Sequence, residues 1–370
     1  MKALPPERVI AALKSPASVA QAPAVELTEL LQQARRAGLL GRIAEQVLAD
    51  LPALRIDAAV LAHFTASRRV CNAQQAEIRR ESQYLRQALS PLDAPVVLLK
   101  GAAYVMAELP AARGRVFGDI DIMVPEAVLK QTEGLLIQNG WMTTPKTPYD
   151  QRYYRQWMHE LPPMQHLQRG TSLDVHHAIL PRTARLRPAP AKLFERVRAL
   201  PAHPGLYVLA PEDMVLHSMT HLFLNDDTSY ALRDLSDLDL LLRHFGREPG
   251  FWASIGRRAV ELDLARPLYY GLRHTAAVLG TPIPAAAISA AQAHAPPAWL
   301  RSGMDAIWSR VLRTPHPAAA PRGTGVAVAA LYLRGHWMRM PWHLLVRHLA
   351  IKAMMSLRKT PEDIPPPVAP

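Results

Sequence analysis

Apolar residues recur at three- and four-residue spacing through most of this chain. Only in its middle does the spacing shorten to two. Leu27, Leu30, Leu31 and Ala34, then Leu39, Leu40, Ile43 and Val47, predict two short helices over 25–50, with Gly38 and Gly41 marking the break between them. A longer stripe of Val60, Leu61, Phe64, Cys71, Ile78 and Leu85 predicts one helix over 58–89, ended by Pro91 and Pro95.

The period then changes. Residues 96–99 form the continuous apolar run of a buried strand, Lys100-Gly101 is a turn, and 102–109 is a helix stopped by Pro110. In 119–124 the alternation sets Ile120 and Ile122 against Asp119 and Asp121, so both carboxylates share one face of a strand. A helix follows over 126–139, closed by Gly140. Residues 141–162 carry no readable period. Residues 164–168 and 172–177 alternate about Arg169-Gly170 and predict a hairpin, with Asp174 and His176 on one face and Leu173 and Val175 on the other.

After a proline- and arginine-rich connection over 181–205, with a short helix at 192–200, helical spacing returns at 211–223, 232–242, 252–263, 265–279 and 284–293. The Pro, Ala and Gly of 311–325 read as a linker, and 341–358 as a basic amphipathic helix. The chain thus divides into an N-terminal helical section (1–90), an α/β core (91–205), a helical domain (206–310) and a linker with a terminal helix (311–370). A length of 370 residues agrees with several units.

Composition narrows the partners. The single cysteine, Cys71, lies within an apolar stripe, excludes an internal disulfide framework and fits a reducing compartment. The N-terminal residues lack the apolar region of a secretory signal, and no apolar run approaches the roughly 20 residues of a membrane span. The expectation is a cytoplasmic protein. A formal net charge of +12 favours anionic partners, though the basic excess is spread along the chain. No zinc-finger, RNP or helix-turn-helix signature supports a nucleic-acid partner. Peripheral membrane contact through 341–358 is the weaker reading of that helix, behind docking on the protein itself.

The chemistry gathers around the carboxylate strand. Two carboxylates side by side repel unless a cation lies between them. Hard oxygen donors suit Mg²⁺. Asp174, on a strand of the same section, would supply a third carboxylate for a two-metal arrangement. Gly101 lets backbone approach a phosphate, Lys100 offers a point charge and Arg115 a forked contact. His176 shares the face of Asp174 and is a candidate phosphate contact, whereas His177 reads as packed. A second Asp-x-Asp, Asp237 and Asp239, follows helical leucine spacing and reads as solvated or capping, with the rim of the site as the lesser alternative. His217 and His221 have metal-compatible helical spacing without the metalloprotease glutamate, and read as packed or polar-linked over the cleft.

Leu99-Lys100-Gly101, Arg115-Val-Phe-Gly-Asp119-Ile-Asp121, Asp174-Val-His176 and the segment from Leu216-His217 to His221, followed by Leu-Arg-Asp-Leu, together resemble a known group. They are similar to an uncharacterised bacterial nucleotidyltransferase family of the DNA polymerase β-like superfamily, over roughly residues 25–245. The resemblance implies a polymerase β-like α/β (α+β) core with a mixed sheet, flanked by helical sections. It also implies transfer of a nucleoside monophosphate from an NTP (ATP by default) to an unidentified hydroxyl acceptor, with two Mg²⁺ ions. Carried over by position, Asp119, Asp121 and Asp174 are the metal ligands and catalytic residues, and Lys100, Gly101, Arg115 and His176 are the nucleotide and phosphate contacts. One departure stands out: Ala102 follows Gly101 where most of the superfamily has a phosphate-binding serine or a second glycine. The alternative it raises is a catalytically silent nucleotide- or partner-binding module of the same fold.

Overall fold

The computed structural model describes residues 7–49, 56–144, 148–314, 316, 319–346 and 354. The chain opens with helices α1 (Arg8–Lys14), α2 (Ala17–Ala20), α3 (Ala24–Arg36), α4 (Leu40–Ala49) and the long α5 (Ala58–Ala88). Asp57 caps α5, its carboxylate accepting from the Ala59 N–H at 2.8 Å. The break between α3 and α4 falls at Gly38, whose φ of 67° is left-handed. Gly41 has a different use. It lies inside α4, where a Cβ would meet the Cys71 sulfur at 2.4 Å and the Gly114 carbonyl at 2.6 Å. Its missing side chain lets α4 close against α5, with Cys71 fully buried between them.

The central section builds one mixed sheet. Its strands are β1 (Val96–Leu98), β2 (Ile120–Met123), β3 (Trp141–Thr143), β4 (Met164–His166), β5 (Ser172–His176), β6 (Arg198–Ala199) and β7 (Leu206–Val208), in the order β3-β4-β5-β2-β1-β7-β6. Strands β1 and β2 are antiparallel, while β2 pairs β5 and β1 pairs β7 in parallel. The expected hairpin is β4 and β5, paired antiparallel. Between the strands lie α6 (Lys100–Met106), α7 (Leu129–Gln138), α8 (Pro148–Trp157) and α9 (Pro190–Phe194). The helix expected over 126–139 opens with a 3-10 turn at Glu126–Val128 before becoming α7.

Further helices follow: α10 (Pro211–Leu224), α11 (Ala231–Phe245), α12 (Phe251–Glu261), α13 (Ala265–Leu279), α14 (Ala285–Gln292), α15 (Ala298–Val311) and α16 (Thr324–Arg339). Helix α10 is buried on nearly every side and joins the sheet to the rest. One apolar cluster runs from Ile78 through the sheet to Leu331, and a second gathers residues between Val9 and Phe64 around Leu232. The linker expected over 311–325 is partly helix, since α16 begins at Thr324. Residues 342–346 are helical, and most of the terminal helix expected beyond them lies outside the described residues. No helix among the described residues is long and apolar enough to cross a membrane.

Candidate metal and phosphate site

The parallel pairing of β2 with β5 sets the register Asp121↔Asp174 and Met123↔His176. Opposed residues of paired strands face the same side. Asp121, Asp174 and His176 therefore project together, and Ile120, Ile122, Leu173 and Val175 fill the core behind them. Asp119 lies one residue ahead of β2 and is exposed, whereas Asp121 is only 3% exposed. Carboxylate oxygens of Asp119, Asp121 and Asp174 lie within 4.8 Å of one another.

Charge here is unevenly met. Burial opposes the charge of Asp121, but Lys100 and His176 more than offset it and hold this carboxyl far below its ordinary range. Lys100 Nζ donates to Asp121 Oδ1 at 2.7 Å, and His176 Nε2 lies 3.0 Å from the same oxygen. At the neighbours the cations are outweighed. The charge of Asp121, then burial, raises Asp119. Burial, followed by Asp121 and Glu160, pushes Asp174 up to about 7. Two carboxyls held back from ionising, Asp119 chiefly by the charge of Asp121 and Asp174 chiefly by burial, are a donor set a divalent cation would relieve, and all-oxygen donors fit Mg²⁺.

The two cations assigned to phosphate have protein partners. Lys100, the first residue of α6, adopts a left-handed φ of 43° and turns to Asp121. Such strain in a non-glycine residue concentrates at functional positions. Arg115 is 8% exposed; its Nε donates to Asp237 Oδ2 at 2.9 Å, and its guanidinium lies 5.1 Å from the Phe117 ring. Gly101 makes room for that arrangement, because a Cβ there would lie 2.7 Å from both Arg115 NH1 and the Phe117 ring.

Asp237 corrects an expectation. It is not solvated but 3% exposed, with Arg42 NH2 at 2.7 Å from Oδ1 and Arg115 on Oδ2. A buried carboxylate needs paired cations, and two arginines from distant segments provide them. Asp239 faces elsewhere, accepting from Arg243 Nε at 2.8 Å and the Thr281 hydroxyl at 2.7 Å.

Helices α10 and α11 close the opposite wall. A cavity of ≈ 110 Å³ is lined by Lys100, Arg115, Asp119, Asp121, Arg233 and His221 among others. His221 Nδ1 lies 3.7 Å from Asp234 Oδ2, and buried His217 is pushed down to about 3 by desolvation and by Lys100. Neither histidine belongs to a ligand group among the described residues. Sequence reasoning missed Glu160, His159, Arg233 and Asp234. The first two lie in the stretch without a period, and the last two carry a signal only within the Leu-Arg-Asp-Leu segment.

No curated protein matches the chain. A family model described as an uncharacterised nucleotidyltransferase matches residues 23–280, a span that takes in α3 to α13 and the whole sheet. The chain belongs to this uncharacterised nucleotidyltransferase family.

Proposed function

We propose that the chain is an Mg²⁺-dependent enzyme that moves a nucleoside monophosphate from an NTP, with ATP the default donor, to a hydroxyl acceptor. The observation that carries this reading is the convergence of Asp119, Asp121 and Asp174 within 4.8 Å, in a member of a nucleotidyltransferase family. In this reading the three carboxylates hold two Mg²⁺ ions, which when bound neutralise phosphate charge and acidify the attacking hydroxyl. His176, on Asp121 Oδ1 at 3.0 Å, keeps that ligand oriented. Lys100 Nζ, a point charge on a flexible stem 2.7 Å from Asp121 Oδ1, would turn to a phosphate once a metal neutralised that carboxylate. Arg115 and Arg233 present positive charge from the cavity wall. Asp174, half-buried beside Asp121, polarises the acceptor hydroxyl. Residues 91–205 carry the chemistry, 206–310 supply the opposing wall, and 1–90 and 311–370 flank them.

The test is label transfer from α-labelled ATP in Mg²⁺ to components of a cell extract. The wild-type chain transfers label, and Asp174→Ala and Asp119→Asn lower transfer by about 1000-fold, the scale of a lost electrostatic contact in a reacting site. Equal labelling by Asp174→Ala sinks the assignment.

A second reading has an observation of its own. Lys100 already supplies a cation to Asp121, and ≈ 110 Å³ is below the roughly 300 Å³ at which ligand pockets begin. A silent module would keep Lys100 on Asp121 in place of a metal, bind a nucleotide or a partner only as the cavity opens, and transfer nothing. Nucleotide binding without label transfer to any extract component is its mark.

A further inference from the structure

Beside the three aspartates, the segment just before β4 is stitched to the end of β5. The Leu161 N–H donates to the Val175 carbonyl at 2.8 Å and the His177 N–H to the His159 carbonyl at 2.8 Å, with Glu160 bridged to His176 between them. This antiparallel stitch brings His159, Glu160 and His176 together. One ligand atom from each lies within 4.8 Å of the other two.

The proton inventory at His176 makes the cluster specific. A carboxylate only accepts, so Nε2, 3.0 Å from Asp121 Oδ1, carries a hydrogen. In the neutral ring Nδ1 is then a lone pair, and it lies 3.3 Å from Glu160 Oε2, which is also a lone pair. Two acceptors face each other, and only a second proton or a cation reconciles them. His159 adds a third donor atom to the group, and its Nδ1 is buried with no hydrogen-bond partner. A buried polar atom without a partner loses its hydration with nothing in return, which makes an unpartnered ring nitrogen here informative.

We propose that His159, Glu160 and His176 form a site for one divalent transition ion of the zinc type, beside the aspartate oxygens and separate from them. Two imidazoles with one carboxylate are a mixed nitrogen and oxygen set that suits Zn²⁺, whereas Mg²⁺ takes oxygen ligands. Asp121 behind His176 completes the arrangement in which a ligating histidine hands its other N–H to a carboxylate. The ion would clamp the 159–161 segment to β5 and fix the ring that orients Asp121. The assignment does not depend on what the three aspartates hold.

The experiment is Zn²⁺ titration of the full chain in excess Mg²⁺, followed by metal analysis after gel filtration. The wild-type chain retains one equivalent, and His159→Gln and Glu160→Gln each weaken retention by about 10-fold or more. Asp119→Asn retains Zn²⁺ like the wild type, which separates this site from the nucleotidyl-transfer reading. Absence of retained Zn²⁺ in the wild-type chain, or retention unchanged in both variants, overturns the proposal. X-ray absorption on the Zn²⁺-loaded wild-type chain reports imidazole scattering from two histidines even if a variant fails to fold. A spectrum with oxygen ligands alone also overturns it.

Discussion

The smallest side chain at the site decides where one of the largest goes. Gly101 suggests a turn where backbone meets phosphate, and its observed neighbours are instead the Arg115 guanidinium and the Phe117 ring. Neither yields freely, because Arg115 Nε is bound to buried Asp237 and the ring lies against the guanidinium. Gly101→Ala should cost about 1–3 kcal/mol, as overpacking does in a filled interior. It should also move Arg115 off the cavity wall. Urea unfolding measures the cost, and a change below about 0.5 kcal/mol would show that the site absorbs a methyl group. The alternation around Ile120 and Leu173 made Asp121 and Asp174 readable, because a strand's period fixes which residues share a face. Asp119 was readable as a member of the group, though it precedes the strand instead of lying in it. The partner of Arg115 was not readable, since it lies 122 residues away in sequence.

Elements show the same division between local period and distant contact. The 200° or so between Asp237 and Asp239 on a helix says that the two diverge, not which one turns inward. In α11 it is Asp237 that enters the interior, joining α4 through Arg42 to the loop carrying Arg115. Asp237→Asn should cost about 3–5 kcal/mol, the scale of breaking a buried ion pair from one side, because two buried guanidinium groups lose their counter-charge. Asp239→Asn, losing only contacts with Arg243 and Thr281 at the helix edge, should cost about 1 kcal/mol. Matched denaturation curves test the ordering, and equal costs would refute it. Strands β3, β6 and β7 escaped sequence reading because no flanking residues extend their two or three positions, whereas the equally short β1 and β4 are extended by the apolar run to Leu99 and the alternation to Gln168. Helix α16 escaped for the opposite reason: Val326, Val328, Leu331, Leu333 and Trp337 surround it, leaving no single apolar stripe.

At the scale of the whole molecule, residues beyond the matched span are tied back onto it. Arg334 NH1 donates to the Phe223 carbonyl at 2.7 Å, and Arg339 NH1 to Asp226 Oδ1 at 2.7 Å, which seats α16 at the end of α10. Near the other end of the chain, Glu7 is 6% exposed and accepts from the Thr314 N–H at 2.8 Å and from the Thr314 hydroxyl. Its Oε2 is buried with no hydrogen-bond partner. Burial outweighs the help of the Thr314 N–H and of Arg313, and pushes this carboxyl from 4.5 up to about 7. The folded chain therefore keeps a proton that the unfolded chain gives up. Below pH 4.5 both states are protonated and the contact contributes in full. As pH rises from 4.5 to about 7, stability falls by about 1.4 kcal/mol per pH unit, on the order of 3 kcal/mol in all, and then levels off. Glu7→Gln keeps an acceptor for Thr314, places an amide where the proton sat, and removes the titration. The variant should match the wild-type chain near pH 4.5 and exceed it increasingly up to about pH 7. Paired urea titrations across that window read the difference directly. A gap between the two proteins that does not change with pH would mean that Glu7 is ionised in the fold and that the Thr314 contact holds a charge instead of a proton.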